Sequence, residues 1–286
     1  MPPDYDASRR ALFYPGRATD FFRRGAPPNA AALAAEVSRL VYSHDTGLIA
    51  RALASVGLAK LAFFPRDRFA GRGTQALLAE GEDRAVLAFR GTEAGDPLDL
   101  IADADVFPAK WPSGGRVHRG FARALRAVWP AIEERLGHLE APRLLITGHS
   151  LGAALAVLAA SLQQACELYA FGAPRVGDAA FAARFDGIAV HRVVNCCDLV
   201  CRVPPRHIVP WCRFAHVGAP VYLDRDGAVC VAPEPAAIAE DRRYARAEYP
   251  YSWRGGKVGL RDLADHAPVN YVSPLWAAGA AGLTPR

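Results

Sequence analysis

The chain has 286 residues, 51% of them apolar, and a formal net charge of +5. That apolar share suffices for a sizeable core, and the absence of any apolar stretch of about 18 residues excludes a helical membrane span. Arginine carries nearly all the positive charge, the only lysines being Lys60, Lys110 and Lys257, and without a dense basic run a nucleic-acid partner is not expected.

The opening stretch, MPPDYDASRRALFYPGRATDFFRR, scatters charges and has no apolar segment of the kind a secretory leader needs. A cytoplasmic protein is therefore expected, with export by a signal-less route left open. Residues 29–43 place Leu33, Val37, Leu40 and Val41 at helical spacing behind an Asn29 cap. Residues 45–59 read as a second amphipathic helix. Residues 74–92 read as a hairpin turning at Gly81, Glu82 and Asp83. From 118 to 137 one helix is expected, with Phe121, Leu125, Val128, Ile132 and Leu136 along one face and Pro130 interrupting it. Short continuous apolar strands follow at 143–148, 167–174 and 189–197, the first two joined by a helix over 151–166. Such alternation implies an α/β fold, a mostly parallel central sheet with helices on both faces. One domain over 1–286 is expected, with 232–259 as a long excursion before the final helix.

Six cysteines, Cys166, Cys196, Cys197, Cys201, Cys212 and Cys230, include no Cys-x2-Cys pair, so no metal is expected. They read as reduced, buried thiols, or, in an exported protein, as carrying a Cys212–Cys230 bridge. The arginine surplus reads as an ordinary solvated surface, the alternative being transient contact with an anionic lipid interface.

Residues 145–152, LITGHSLG, hold Gly148, Ser150 and Gly152 between an apolar strand and an apolar helix. This is the pattern of a nucleophile elbow, whose serine is pushed out above the sheet on a strained turn. The two glycines are needed where strand and helix approach too closely for a Cβ. A serine hydroxyl needs a histidine base and an acid to fix its tautomer, in the order Ser, acid, His. Asp198, at the C-terminal end of the 189–197 strand, is the best acid; Asp178, Asp186 and Asp224 read as turn or surface residues. Of the later histidines, His266 is the base of choice, while His216 reads as a strand residue and His207 stands among prolines. His149 points away and takes no chemical role.

Several stretches resemble the class 3 (fungal-type) triacylglycerol lipases: AFRGT at 88–92, VHRGF at 117–121, ITGHSLGAALA at 146–156, FGAPRVGD at 171–178, VNCCDLVCRVPP at 194–205 and DHAPVNYV at 265–272. In the family's order, they cover about residues 84–275. The resemblance implies an α/β-hydrolase fold and hydrolysis of lipid carboxylic esters by a Ser150–Asp198–His266 triad, with Thr92 and the Leu151 N–H holding the oxyanion. It implies no cofactor. It also puts the lid at 93–105, where five acids among few apolar residues argue against strong interfacial activation. Leu199 and Cys201 stand where the family commonly has prolines. The alternatives within hydrolases are a phospholipase A1 or a soluble carboxylesterase; outside them, a non-catalytic lipid- or protein-binding module. Oligomeric state is not readable from the chain.

Overall fold

The computed structural model describes residues 2, 4–65, 73–91, 105–163, 165–209, 212–251 and 254–283. Among them, eight strands form a central sheet: β1 (Lys60–Phe64), β2 (Ala76–Glu80), β3 (Ala85–Phe89), β6 (Leu144–His149), β7 (Glu167–Phe171), β9 (Ala189–Asn195), β12 (Pro220–Leu223) and β13 (Val229–Val231), paired in that order. The run from β3 to β12 is parallel, and antiparallel pairs close both edges. A smaller antiparallel sheet orders β10 (His207–Val209), β11 (Cys212–Ala215), β8 (Gly177–Asp178), β5 (Arg116–His118) and β4 (Pro108–Lys110).

The central strands are rich in apolar residues because both of their faces are covered. On one face Leu78, Leu87, Phe89, Ile146 and Leu168 pack against helices Arg119–Arg126, Trp129–Leu136 and Leu151–Leu162. On the other, Leu77, Val86, Leu145, Phe171 and Val193 meet helices Ala30–Leu40, Thr46–Ala54 and Val269–Ala277. Each large apolar side chain fully buried this way contributes about 1.5–3 kcal/mol.

Asn29 caps its helix as expected, and Asp45 caps the next one. Asn29 Oδ1 accepts from the Ala32 N–H at 2.8 Å, and Asp45 Oδ1 from the Leu48 N–H at 2.8 Å. The hairpin forms as read, with Glu80 opposite Ala85. Three readings need correction. The 118–137 segment is two helices, because Pro130 lacks an N–H and is tolerated in the first turn of a helix, not inside one. The 232–259 excursion contains a helix, Pro235–Ala247, whose only buried residue is Ala245. His216 lies just past the end of β11. Cys230 is a free thiol on β13, in the central sheet, and Cys212 begins β11, in the other sheet. Thr92 and all of the 93–105 segment except Asp105 lie outside the described residues. No described helix is long and apolar enough to cross a membrane.

Candidate active site

Strands β3, β6, β7 and β9 run parallel and so end at one edge of the sheet. At that edge β6 passes directly into helix Leu151–Leu162 through Ser150, whose φ of 60° and ψ of −127° lie in a strained region. The backbone is held there by packing. A Cβ on Gly148 would fall 2.3 Å from the Gly152 carbonyl, and one on Gly152 would fall 2.2 Å from the Phe89 oxygen. The Ser150 N–H donates to the Phe171 carbonyl at 3.0 Å, fixing the turn to the end of β7. The helix thus starts at Leu151 with its positive N-terminal end beside the serine.

Asp198 lies three residues beyond β9, and His266 sits in the turn between helices Arg261–Ala264 and Val269–Ala277. His266 Nδ1 meets Asp198 Oδ2 at 2.8 Å, and both side chains are buried. A carboxylate there selects the tautomer with the proton on Nδ1, leaving Nε2 as the base. Nε2 is buried and has no hydrogen-bond partner among the described residues, Ser150 Oγ included. The imidazole nevertheless flanks the elbow: its ring centroid is 4.5 Å from that of His149, and a Cβ on Gly172 would come 3.2 Å from its Cε1. The structure therefore brings Ser150, Asp198 and His266 to one edge, with the acid–base pair formed and the serine beside it.

Several residues that organise this pair were not foreseen. The Tyr271 hydroxyl donates to Asp198 Oδ2, and the Val200 N–H donates to Oδ1 at 2.8 Å. Burial and the Asp198 charge hold the Tyr271 phenol far above its ordinary range, so it remains a donor. Asn195 Nδ2 donates to the carbonyls of Asp265 at 2.9 Å and Asn270 at 3.2 Å, and the Cys197 N–H donates to Asp265 Oδ2 at 2.9 Å. These bonds staple the acid loop to the histidine loop. Tyr271 falls five positions after His266 inside the quoted DHAPVNYV stretch, which is the one signal that pointed near it.

His149 does not point away. Its ring lies against His266, and its Nδ1 is 3.1 Å from the Tyr42 hydroxyl. Burial and the neighbouring His266 hold it well below the usual imidazole range, so it is neutral. The other candidates fall elsewhere. Asp178 caps helix Ala179–Ala182, Asp224 closes a turn by accepting from the Asp226 and Ala228 N–H groups, and His216 bonds the Cys201 carbonyl at 2.9 Å. Ligand atoms of Cys196, Cys197 and Asp265 lie within 4.8 Å of one another. That carboxylate is already engaged by Arg261, by the Cys197 N–H and by the Tyr5 hydroxyl at 2.6 Å. The Cys197 thiol and burial hold Cys196 far above its ordinary range, which disfavours the thiolate a metal would need.

A family model described as Lipase (class 3) matches residues 86–208. The chain is 34% identical over 169 residues to a lipase of Rhizomucor miehei, spanning 52% of this chain and 45% of that protein. It is 34% identical over 183 residues to Phospholipase A1-II 4 of Oryza sativa subsp. japonica, spanning 51% of this chain and 45% of the other. The chain thus spans about half the length of these relatives. A solved propeptide complex of Rhizomucor miehei lipase, a deletion mutant, shares the fold at a TM-score of 0.52 and 21% identity, covering 89% of this chain and 78% of that one. Over residues 86–208 the chain is thus similar to the class 3 lipases, and its mixed, mostly parallel central sheet matches the fold of the fungal lipase structure.

Proposed function

We propose that the chain is a serine hydrolase that cleaves carboxylic ester bonds of lipids through an acyl-enzyme. The observation that carries this reading is the buried His266–Asp198 pair beside a serine held in a strained elbow. Ser150 Oγ attacks the ester carbonyl as His266 Nε2 takes its proton, and Asp198 stabilises the resulting imidazolium. The Leu151 N–H and Thr92 hold the oxyanion. Collapse of the tetrahedral intermediate releases the alcohol, which takes the proton back from His266. Water then repeats the sequence on the acyl-enzyme and frees the carboxylic acid. Side chains from this chain supply every proton transfer.

The relative named as a lipase supports a triacylglycerol-type substrate, and the equally identical relative named as a phospholipase A1 favours a phospholipid as the second reading. One experiment serves both: rates on emulsified triacylglycerol, phospholipid vesicles and p-nitrophenyl esters of several chain lengths, for the chain and for Ser150→Ala. Turnover should fall on the order of 10⁶-fold in the variant, since nucleophile and base act as a unit. Retention of hydrolysis by Ser150→Ala would exclude this scheme.

A further inference from the structure

Many arginines of the described structure face a carboxylate, as Arg39 does Glu36, Arg135 does Glu80 and Arg246 does Asp262. Arg175, Arg192, Arg202 and Arg206 do not. Among the described residues none of the four forms an ion pair, and their side chains bond only to carbonyls or to nothing. Arg175 Nη1 donates to the carbonyls of Arg202 and Pro204, the latter at 2.8 Å, and Arg192 Nε donates to that of Gly218 at 3.3 Å. The side chains of Arg202 and Arg206 make no described bond and are exposed. Arg175 Nε is buried and has no partner.

The four come from three segments that converge. The Arg175 N–H donates to the Val203 carbonyl at 2.8 Å, tying it to the loop that begins at Asp198. Arg192 lies on β9, three residues before Asn195. His216, half-buried, meets the Cys201 carbonyl through its Nε2 at 2.9 Å, one residue before Arg202, and burial together with the guanidiniums of Arg192, Arg175 and Arg206 pushes its imidazole down to about 3.

One member of this locus, Arg175, lies near the catalytic edge. Arg175 is three residues beyond Gly172, whose position against His266 is given above, and a chain of that length spans roughly 11 Å at most. Guanidinium groups grip phosphate oxygens in bidentate fashion, and a cluster of them that meets no carboxylate among the described residues is suited to an anion. A triacylglycerol brings no anion to this place. A glycerophospholipid does, its phosphate lying a few bonds from the acyl ester.

We infer that Arg175, Arg192, Arg202 and Arg206 form a phosphate subsite for the headgroup of a glycerophospholipid whose acyl ester is presented to Ser150. The inference rests on the hydrolase reading above and chooses between its two substrate classes. To test it, the full chain carrying Ser150→Ala is titrated calorimetrically with dihexanoyl-phosphatidate, dihexanoylglycerol and inorganic phosphate. The phosphatidate should bind about tenfold tighter than the diacylglycerol, as charge-assisted bonds to phosphate require. Adding Arg202→Gln and Arg206→Gln should abolish that preference, and Arg206→Gln alone should reduce it about threefold. Both side chains are exposed and unbonded, so their loss leaves the packing alone. Equal affinity for the two lipids, or a preference that survives the double substitution, overturns the inference. So does inorganic phosphate binding as tightly as phosphatidate, which would mark a site for the free ion. A phosphatidate preference in a chain that hydrolyses no ester would leave the subsite standing and remove the hydrolase reading instead.

Discussion

The nucleophile elbow and the acid–base pair meet at one edge of the sheet, yet they are held by different forces. Ser150 is fixed by backbone alone: a strained φ, an N–H bonded to the Phe171 carbonyl, and two glycines packed closer than any side chain allows. The His266–Asp198 pair is fixed by side chains, through Tyr271, Asn195 and Asp265. Backbone packing tolerates no added atom, whereas a network of several bonds loses one and keeps the rest. The two halves should therefore fail differently.

The sharpest break is on the elbow side. Gly148→Ala puts a methyl 2.3 Å from the Gly152 carbonyl, with backbone rather than a flexible side chain in the way. We expect destabilisation of about 4 kcal/mol or outright misfolding, the range of severe core overpacking and strain. Chemical denaturation reads it directly, and a variant within 1 kcal/mol of the parent, roughly the effect of an ordinary substitution, would show that the packing argument is wrong. On the network side Tyr271→Phe deletes one donor to Asp198 while Val200 N–H and His266 still bond that carboxylate. The expected loss is about 1–3 kcal/mol of stability, the consequence of removing one partner from a buried charged group, with the protein still folded. A loss as large as that of Gly148→Ala would erase the distinction between the halves.

His149 lies between the two regions and gives the smallest effect. Its folded pKa is held below the ordinary imidazole value of 6.5, so the unfolded chain takes up the proton first. Stability from this residue is complete above about pH 6.5 and falls as the pH drops below it. His118, which burial lowers to about 4, contributes in the same sense. Melting temperatures at pH 7.5 and 5 should show a smaller drop for His149→Phe than for the parent; an unchanged drop would mean that His149 is protonated in the fold.

The same contrast explains what the sequence made readable. The elbow is a contiguous pattern whose glycines, serine and flanking apolar runs all act within a few residues. Its strand, turn and helix could be read directly, and so could the alternation that builds the parallel sheet. Asp198 and His266 were found by order and by strand end, with the family resemblance behind them. The network around them was not readable, because Tyr5, Asn195, Asp265, Asn270 and Tyr271 meet only through the folded chain. His149 is hidden for a related reason: local sequence points it away from the site, whereas packing turns its ring onto His266. Pro130 was read as an interruption in one helix, although a proline in a first turn marks a new one.

Active-site labelling reports on whether His266 activates Ser150. The chain is treated with a fluorophosphonate and the adduct is mapped by mass spectrometry, with His266→Ala alongside. We expect one adduct on Ser150 in the parent and its near-complete loss in the variant. An unlabelled Ser150, or labelling that persists at full rate without the imidazole, would contradict it.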